Sequence, residues 1–418
     1  MTQVAYASAV RDSAAPKRLA VITTHPIQYY APWFRHLAGN GELSVRVFYL
    51  WDFGVTRQVD AGFQKAIQWD VPLLSGYEHE FVPNVSAEPG TQRFLGLQNP
   101  QLAERVAAFA PDAVLMMGYN YASLYRFLWQ WRGGKTPLIF RGDSHRLVAR
   151  SGGKEWLRRR FLTKLFGRFS ACLYVGDANR EYFRYHGVPA ARLFFAPHAV
   201  DNEWFISQRE PAHEQAAAWK EELGIPPSHA VILFAGKFEA KKRPLDLMQA
   251  FLDAGPERAA LLFVGDGALG DEMRARAKGR EGIFFAPFQN QSLMPRVYAA
   301  ADLFVLPSFG PSETWGLAIN EAMCMSRPLI VSTHVGCASD LVRHGRNGLI
   351  FPAGDVAALT ACLTEALSDR SRLRHWGDES LAIIRKYSYT QATLGLKQAM
   401  AHLNVLQSPA LADTVSSR

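Results

Sequence analysis

Runs of apolar residues alternate with stretches of helical period along most of this chain. A buried-type strand over Arg18–Thr24 leads through His25-Pro26-Ile27-Gln28-Tyr29-Tyr30 into a helix predicted over Ala31–Ala38. Further strands are predicted over Val45–Leu50, Ala113–Met117, Pro137–Phe140, Ala171–Gly176 and Arg192–Pro197. Strands separated by helical patterns predict a parallel α/β sheet. The polar segment Ser207–Glu222 predicts a linker and a helix, after which the alternation resumes with strands over Val231–Gly236, Leu261–Gly265 and Leu303–Leu306. Beyond Ala358 two helices are predicted, the last over Thr390–Leu406. At 418 residues the chain is long enough for two domains with full cores, here bounded as 18–205 and 206–388. Residues 1–17 have no continuous apolar core before Leu19, so they predict a disordered leader rather than a secretory signal, and 407–418 predict a disordered tail. Trp51–Glu88 has Gly, Pro and aromatics but little periodicity, the pattern of a long loop that lines a site.

The stretch Pro307–Ile330 carries the densest chemistry. The apolar run Leu303–Leu306 gives way to a Gly/Pro/Ser loop, and a helix-period segment begins near Leu317. The loop delivers Glu313, and Glu321 follows after seven intervening residues, one turn into the helix. A helix N-terminus leaves its first N–H groups unpaired and attracts anions, so the backbone from Thr314 to Ala318 suits a phosphate. Gly316 admits a ligand close to the backbone, and two carboxylates are acceptors for a polyhydroxylated partner. A sugar carrying a diphosphate has both features. The alternative is that Glu321 only complements the helix dipole and Glu313 is a solvated loop residue.

Ser312-Glu-Thr-Trp-Gly-Leu-Ala-Ile-Asn-Glu-Ala-Met323 resembles the paired-glutamate motif of retaining glycosyltransferases of family four, glycosyl transferases group 1. Pro328–Ser332, Gly336, Asp340–Val342 and Gly345–Leu349 continue the likeness in order and spacing, which is close over Val231–Leu359 and fades towards the N-terminus. The resemblance implies the GT-B fold: an α/β chain with two Rossmann-like doubly wound domains facing each other across a cleft, and a terminal helix, here 389–406, crossing back to the first domain. It implies a retaining, metal-independent transfer, with no cofactor and with the nucleotide sugar as substrate. Lys237 and Lys242 match the basic pair that holds the donor diphosphate, together with the backbone of Thr314, Gly316, Leu317 and Ala318. Glu313 is implied to bind donor-sugar hydroxyls, Glu321 the ribose, Phe288 the nucleobase through its backbone, and His145 to reach the donor sugar. Glu313, His145 and Lys242 are the implied catalytic set. Three departures stand out. The family's Gly-Gly pair after the first strand is replaced by HPIQYYAPWFR, whose aromatics Tyr29, Tyr30 and Trp33 either stack on an acceptor or pack the domain. Histidine stands at 198 where asparagine is usual, and Lys237 where arginine is more common.

Composition adds three points. Cys172, Cys324, Cys337 and Cys362 are scattered without zinc or disulfide spacing, which fits a reducing cytoplasm. Net charge +8 and pI near 9.3 favour anionic partners, yet no nucleic-acid-binding motif is present. Within Lys154–Arg168 helical spacing of Trp156, Phe161, Leu162, Leu165 and Phe166 combines with six basic residues against one acidic. Such a helix either packs by its apolar stripe or lies on the anionic inner face of a membrane. Ala113–Trp131, interrupted by Gly118, Asn120 and Arg126, predicts a strand and a helix rather than a membrane span. The expected activity is transfer of a sugar to a glycan or lipid-linked acceptor in surface polysaccharide or glycolipid synthesis. The rivals are a GT-B-fold sugar-nucleotide epimerase and a basic lipid- or nucleic-acid-binding protein on an inactive scaffold.

Overall fold

The computed structural model describes residues 15–55, 58–60, 63, 65–132, 135–148 and 152–407. Most of the expected leader and the tail from 408 onward lie outside the described residues; Lys17 is already the first residue of a strand. The first half contains strands β1 (Lys17–Thr23), β2 (Leu43–Tyr49), β3 (Gln58–Asp60), β4 (Lys65–Ile67), β5 (Glu78–Phe81), β6 (Ala113–Met117), β7 (Leu138–Arg141), β8 (Ala171–Tyr174) and β9 (Leu193–Phe195). Its helices are α1 (Ala31–Ala38), α2 (Leu102–Ala108), α3 (Ala122–Gln130), α4 (Gly153–Phe166) and α5 (Asp177–Tyr185). Helices α6 (Asn202–Ser207) and α7 (Arg209–Glu222) lead to the second half. There the strands are β10 (Ala230–Ala235), β11 (Ala259–Val264), β12 (Ile283–Ala286), β13 (Leu303–Leu306), β14 (Leu329–Ser332) and β15 (Gly348–Phe351). The helices are α8 (Pro244–Ala254), α9 (Gly270–Ala277), α10 (Met294–Ala299), α11 (Leu317–Cys324), α12 (Ala338–Leu341), α13 (Val356–Leu367), α14 (Arg370–Ile384) and α15 (Tyr389–His402).

Two parallel sheets result, ordered β5-β2-β1-β6-β7-β8-β9 and β12-β11-β10-β13-β14-β15. Their central strands read as unbroken apolar runs because both faces are covered. Along β1, Leu19 and Val21 enter the core on one side and Ala20 and Ile22 that on the other; along β10, Val231 and Leu233 oppose Ile232 and Phe234 in the same way. Strand order reverses between β1 and β6 and between β10 and β13. Ligands of open α/β sheets bind outside the carboxyl ends of strands at such reversals. The loops there carry His25–Tyr30, Gly236–Arg243 and Pro307–Gly316.

The structure corrects the sequence reading in two places. The Trp51–Glu88 stretch is not only loop: it holds the antiparallel hairpin β3–β4 and the edge strand β5. Three helices, not two, close the chain, because Asp369 accepts from the N–H groups of Ser371 and Arg372 and starts a new helix straight after α13.

Helix α15 returns to the first sheet, where Leu396, Ala399 and Met400 join its core. Gly395 allows this approach, since a Cβ there would lie 1.9 Å from the Phe195 carbonyl oxygen. Gly395→Ala is therefore expected to cost about 1–3 kcal/mol through overpacking. A lowered urea midpoint would show this; an unchanged midpoint would mean that α15 does not depend on the contact.

Candidate active site

The loop after β10 begins at Gly236, runs through Lys237 and a short turn at Ala240–Lys242, and enters α8 through Arg243 in the left-handed conformation. The loop after β11 lies directly on it: a Cβ at Gly265 would stand 2.0 Å from the Gly236 carbonyl oxygen. Only glycine lets these two backbones meet. Lys242 Nζ pairs with Glu313 Oε2, which also accepts from Ser308 Oγ at 2.8 Å. Burial raises the Glu313 carboxyl, but the Lys242 ammonium and its hydrogen bond outweigh burial and hold it below the ordinary range.

Gly316, at φ 103°, turns the β13 loop into α11. The loop is braced on two sides: the Gly336 N–H donates to the Glu313 carbonyl at 3.1 Å, and Trp315 Nε1 donates to Asn320 at 2.8 Å. Glu321 is only 2% exposed. Its carboxylate accepts from Gln291 Nε2 at 2.8 Å and Tyr298 OH at 2.7 Å, with Tyr29 from the first domain as a third donor. Burial pushes the Glu321 carboxyl up, and these donors offset it only partly.

Between the sheets lies a cavity of about 390 Å³. Lys237, Lys242, Glu313, Gly316, Leu317, Ala318, Glu321 and Phe288 all line it. His145 and Thr314 do not. They line a smaller recess beside it, together with Arg146 and Arg158. The Leu147 N–H donates to His145 Nδ1 at 3.3 Å, which leaves Nε2 to donate to the Glu313 carbonyl at 3.3 Å. Burial lowers the His145 pKa, so the ring is neutral near pH 7. Thr314 Oγ1 donates to Asp143 at 2.7 Å, and Asp143 lies 3.4 Å from His198 Nε2.

Sequence reading missed Phe63, Trp69 and Gln291, which also line the cavity. Phe63 and Trp69 come from the stretch without periodicity and meet Phe288 edge-on at 4.7 and 6.3 Å between ring centroids. Asn290 Nδ2 donates to the Gln68 carbonyl at 2.8 Å, and Asp70 accepts from Ser292, which ties this strap to the second domain. Of the HPIQYY aromatics, only Tyr29 faces the cavity. Trp33 is 1% exposed and packs, with the half-buried Tyr30, on the buried guanidinium of Arg141, so the Trp33 ring is closed to an acceptor.

The fold and this geometry can be set beside known proteins. Residues 229–369 match the family model Glycosyl transferases group 1. The chain is 28% identical over 237 residues to D-inositol 3-phosphate glycosyltransferase of Nocardia farcinica, covering 54% of this chain and 51% of the relative. It is 33% identical over 173 residues to 2-deoxystreptamine N-acetyl-D-glucosaminyltransferase of Streptomyces fradiae, covering 40% of each. The chain thus spans about half the length, or less, of these curated relatives. The crystal structure of Anabaena HepE with UDP and glucose superposes with a TM-score of 0.67 at 16% identity, over 92% of this chain and 99% of that one. Sucrose-phosphate synthase of Thermosynechococcus elongatus gives 0.68 at 18% identity, over 93% and 99%. The fold is GT-B.

Glu321→Gln tests the electrostatics of the cavity floor. The folded pKa of Glu321 lies above that of a free glutamate, so its ionised form destabilises the fold at neutral pH and protonation relieves this as pH falls through the folded value. The variant is expected to lose less than about 1 kcal/mol at pH 7.5, below the usual cost of disturbing a buried polar group. Its stability relative to wild type should fall as pH drops towards 4.5. Paired melts at pH 7.5 and 5 give the comparison; a large loss confined to pH 7.5 would contradict it.

Proposed function

We propose that the protein is a glycosyltransferase that moves a sugar from a nucleotide-sugar donor in the inter-domain cavity to a hydroxyl group of a glycan or lipid-linked acceptor. The observation that carries this is that one cavity gathers the aromatic rings of Trp69 and Phe288, the carboxylate of Glu321, Lys237, Lys242 and the N-terminus of α11 beside Glu313. Base, ribose, diphosphate and sugar together need groups of those kinds. UDP and glucose in the HepE structure and the names of the curated glycosyltransferases agree with it. An epimerase would need the same donor groups but no acceptor recess, and the hollow beside His145 and Arg146 favours a transferase.

In this reading the donor diphosphate draws Lys242 away from Glu313. Lys237, Lys242 and the first N–H groups of α11 then stabilise the charge that grows on the leaving diphosphate, without a metal. The freed Glu313 carboxylate accepts hydrogen bonds from the donor sugar, and Glu321 exchanges Tyr29 for ribose hydroxyls. Neither carboxylate acts as a nucleophile. The configuration is retained because the acceptor attacks from the face that the diphosphate leaves, with the leaving phosphate taking the acceptor proton. His145, which lines the neighbouring recess, reaches the sugar only by exchanging its Nε2–H bond to the Glu313 carbonyl for one to a sugar hydroxyl. Glu313→Gln keeps the shape but loses a charge-assisted bond of about 1.5–3 kcal/mol, so turnover should fall about ten- to a hundredfold. The assay is release of nucleoside diphosphate from a nucleotide-sugar panel with membrane extract as acceptor; undiminished turnover of a folded variant would refute the role.

The acceptor side faces an anionic membrane surface at the inner face in this proposal. No helix among the described residues is long and apolar enough to cross a membrane. Instead α4 buries Leu162, Leu165 and Phe166 but leaves Trp156, Leu157 and Phe161 at least half exposed among its basic residues. The apolar stripe therefore does not close the helix against the domain. Tyr125 links Phe161 to the exposed Phe94, at 6.0 and 5.6 Å between rings, which extends the patch. Exposed apolar groups rimmed by arginines suit an anionic bilayer interface. Flotation with anionic liposomes should be salt-sensitive and should drop at least severalfold in the W156A/L157A/F161A variant; equal flotation of neutral liposomes and of the variant would remove the membrane from the proposal.

A further inference from the structure

Four arginines surround a second cavity, of about 350 Å³, at the amino ends of β13 and β14, the opposite end of the sheet from the donor loops. Arg209 opens α7, Arg327 precedes β14, and Arg370 and Arg374 stand on the first two turns of α14. Among the described residues none of the four guanidinium groups has a carboxylate within ion-pair distance. The acidic residues at the rim are Asp302, whose Oδ2 already accepts from the Val231 N–H at 2.8 Å, and Asp378. Positive charge is therefore in excess. Two further groups lack partners: Arg209 Nε and Ser326 Oγ are buried without a hydrogen bond, and both residues line the cavity. Buried polar groups are ordinarily hydrogen-bonded, so these two are exceptions.

The walls are held by backbone. Helix α14 comes so close at Gly377 that a Cβ there would lie 2.2 Å from the Ser326 carbonyl oxygen, and Ser326 itself is held at φ 56°. Arg327 is fixed by donating from Nε to the Met325 carbonyl at 2.6 Å and from Nη1 to the Ala301 carbonyl. The first turn of α14 adds Arg370 and Arg372 and no acid, so the Asp369 carboxylate at its N-cap is the one anion offsetting these cations at the positive end of the helix dipole among the described residues. Burial, opposed by Asp302 but reinforced by Arg209, pushes the Arg327 pKa down to about 10, the mark of incompletely compensated charge.

We propose that this cavity is a binding site for a small molecule bearing a phosphate or diphosphate group, separate from the donor site. Guanidinium forks match phosphate oxygens two at a time, and four of them around one hollow favour a multiply charged tetrahedral anion over a single carboxylate.

Pyrophosphate is the probe. Isothermal titration into the full chain at low ionic strength should show two classes of site, because the donor cavity also accepts a diphosphate. In R209Q/R374Q one class should weaken at least tenfold while nucleoside diphosphate binding is kept. In K237A/K242A that same class should persist. If R209Q/R374Q fails to fold, R374Q alone, at an exposed position, should still weaken it severalfold. The proposal is overturned if K237A/K242A loses all pyrophosphate binding, or if the arginine variants titrate like wild type. Either result stands apart from the donor-site reading, which K237A/K242A tests on its own.

Discussion

The ion pair between Lys242 and Glu313 is the contact on which the donor side depends. It joins the loop after β10 to the loop after β13 across the strand reversal of the second sheet. Both side chains are at least four-fifths buried, so each would be a costly isolated charge without the other. Their pairing holds two irregular loops in one geometry. In the proposed function the same pairing makes the site responsive: a diphosphate competes for the lysine, and the released carboxylate turns to the sugar. Backbone sets the stage for this, since Gly236 and Gly265 bring the β10 and β11 loops within reach of each other.

The two domains meet through polar contacts that converge on those loops. Thr314 reaches Asp143, Asn320 Nδ2 donates to the His198 carbonyl at 3.1 Å, and the Asp177 N–H donates to the Asp340 carboxylate at 3.0 Å. Tyr389 of the returning helix donates to the Tyr29 carbonyl at 2.9 Å, which positions the Tyr29 ring above Glu321. The paired-glutamate loop is thus read from both domains at once, and a change in their separation is felt at Glu313 and Glu321 together.

Much of this was legible from residue order. Continuous apolar runs gave the central strands because both faces of each sheet are covered, and the strand-loop-helix pattern together with the family resemblance singled out Lys237, Lys242, Glu313 and Glu321, which line one cavity. Local pattern could not place Phe63 and Trp69. They lie in a stretch whose structure comes from contacts with Asn290 and Ser292 in the other domain, far away in sequence. Thr314 shares a motif with the cavity residues and His145 was implied by resemblance, yet their hydrogen bonds to Asp143 and the Glu313 carbonyl turn them to the neighbouring recess. Spacing along α4 likewise suggested one apolar stripe, whereas the domain is broad enough to cover only Leu162, Leu165 and Phe166. The rear arginines gave no signal, because three separate elements contribute them.

The central claim is that the inter-domain cavity holds a nucleoside diphosphate with its phosphates on Lys237, Lys242 and the start of α11. A crystal structure of the protein soaked with UDP tests it most directly. The account predicts the diphosphate against those groups, the ribose on Glu321, and Glu313 parted from Lys242. Nucleotide bound elsewhere, or an intact Lys242–Glu313 pair with nucleotide present, would contradict it.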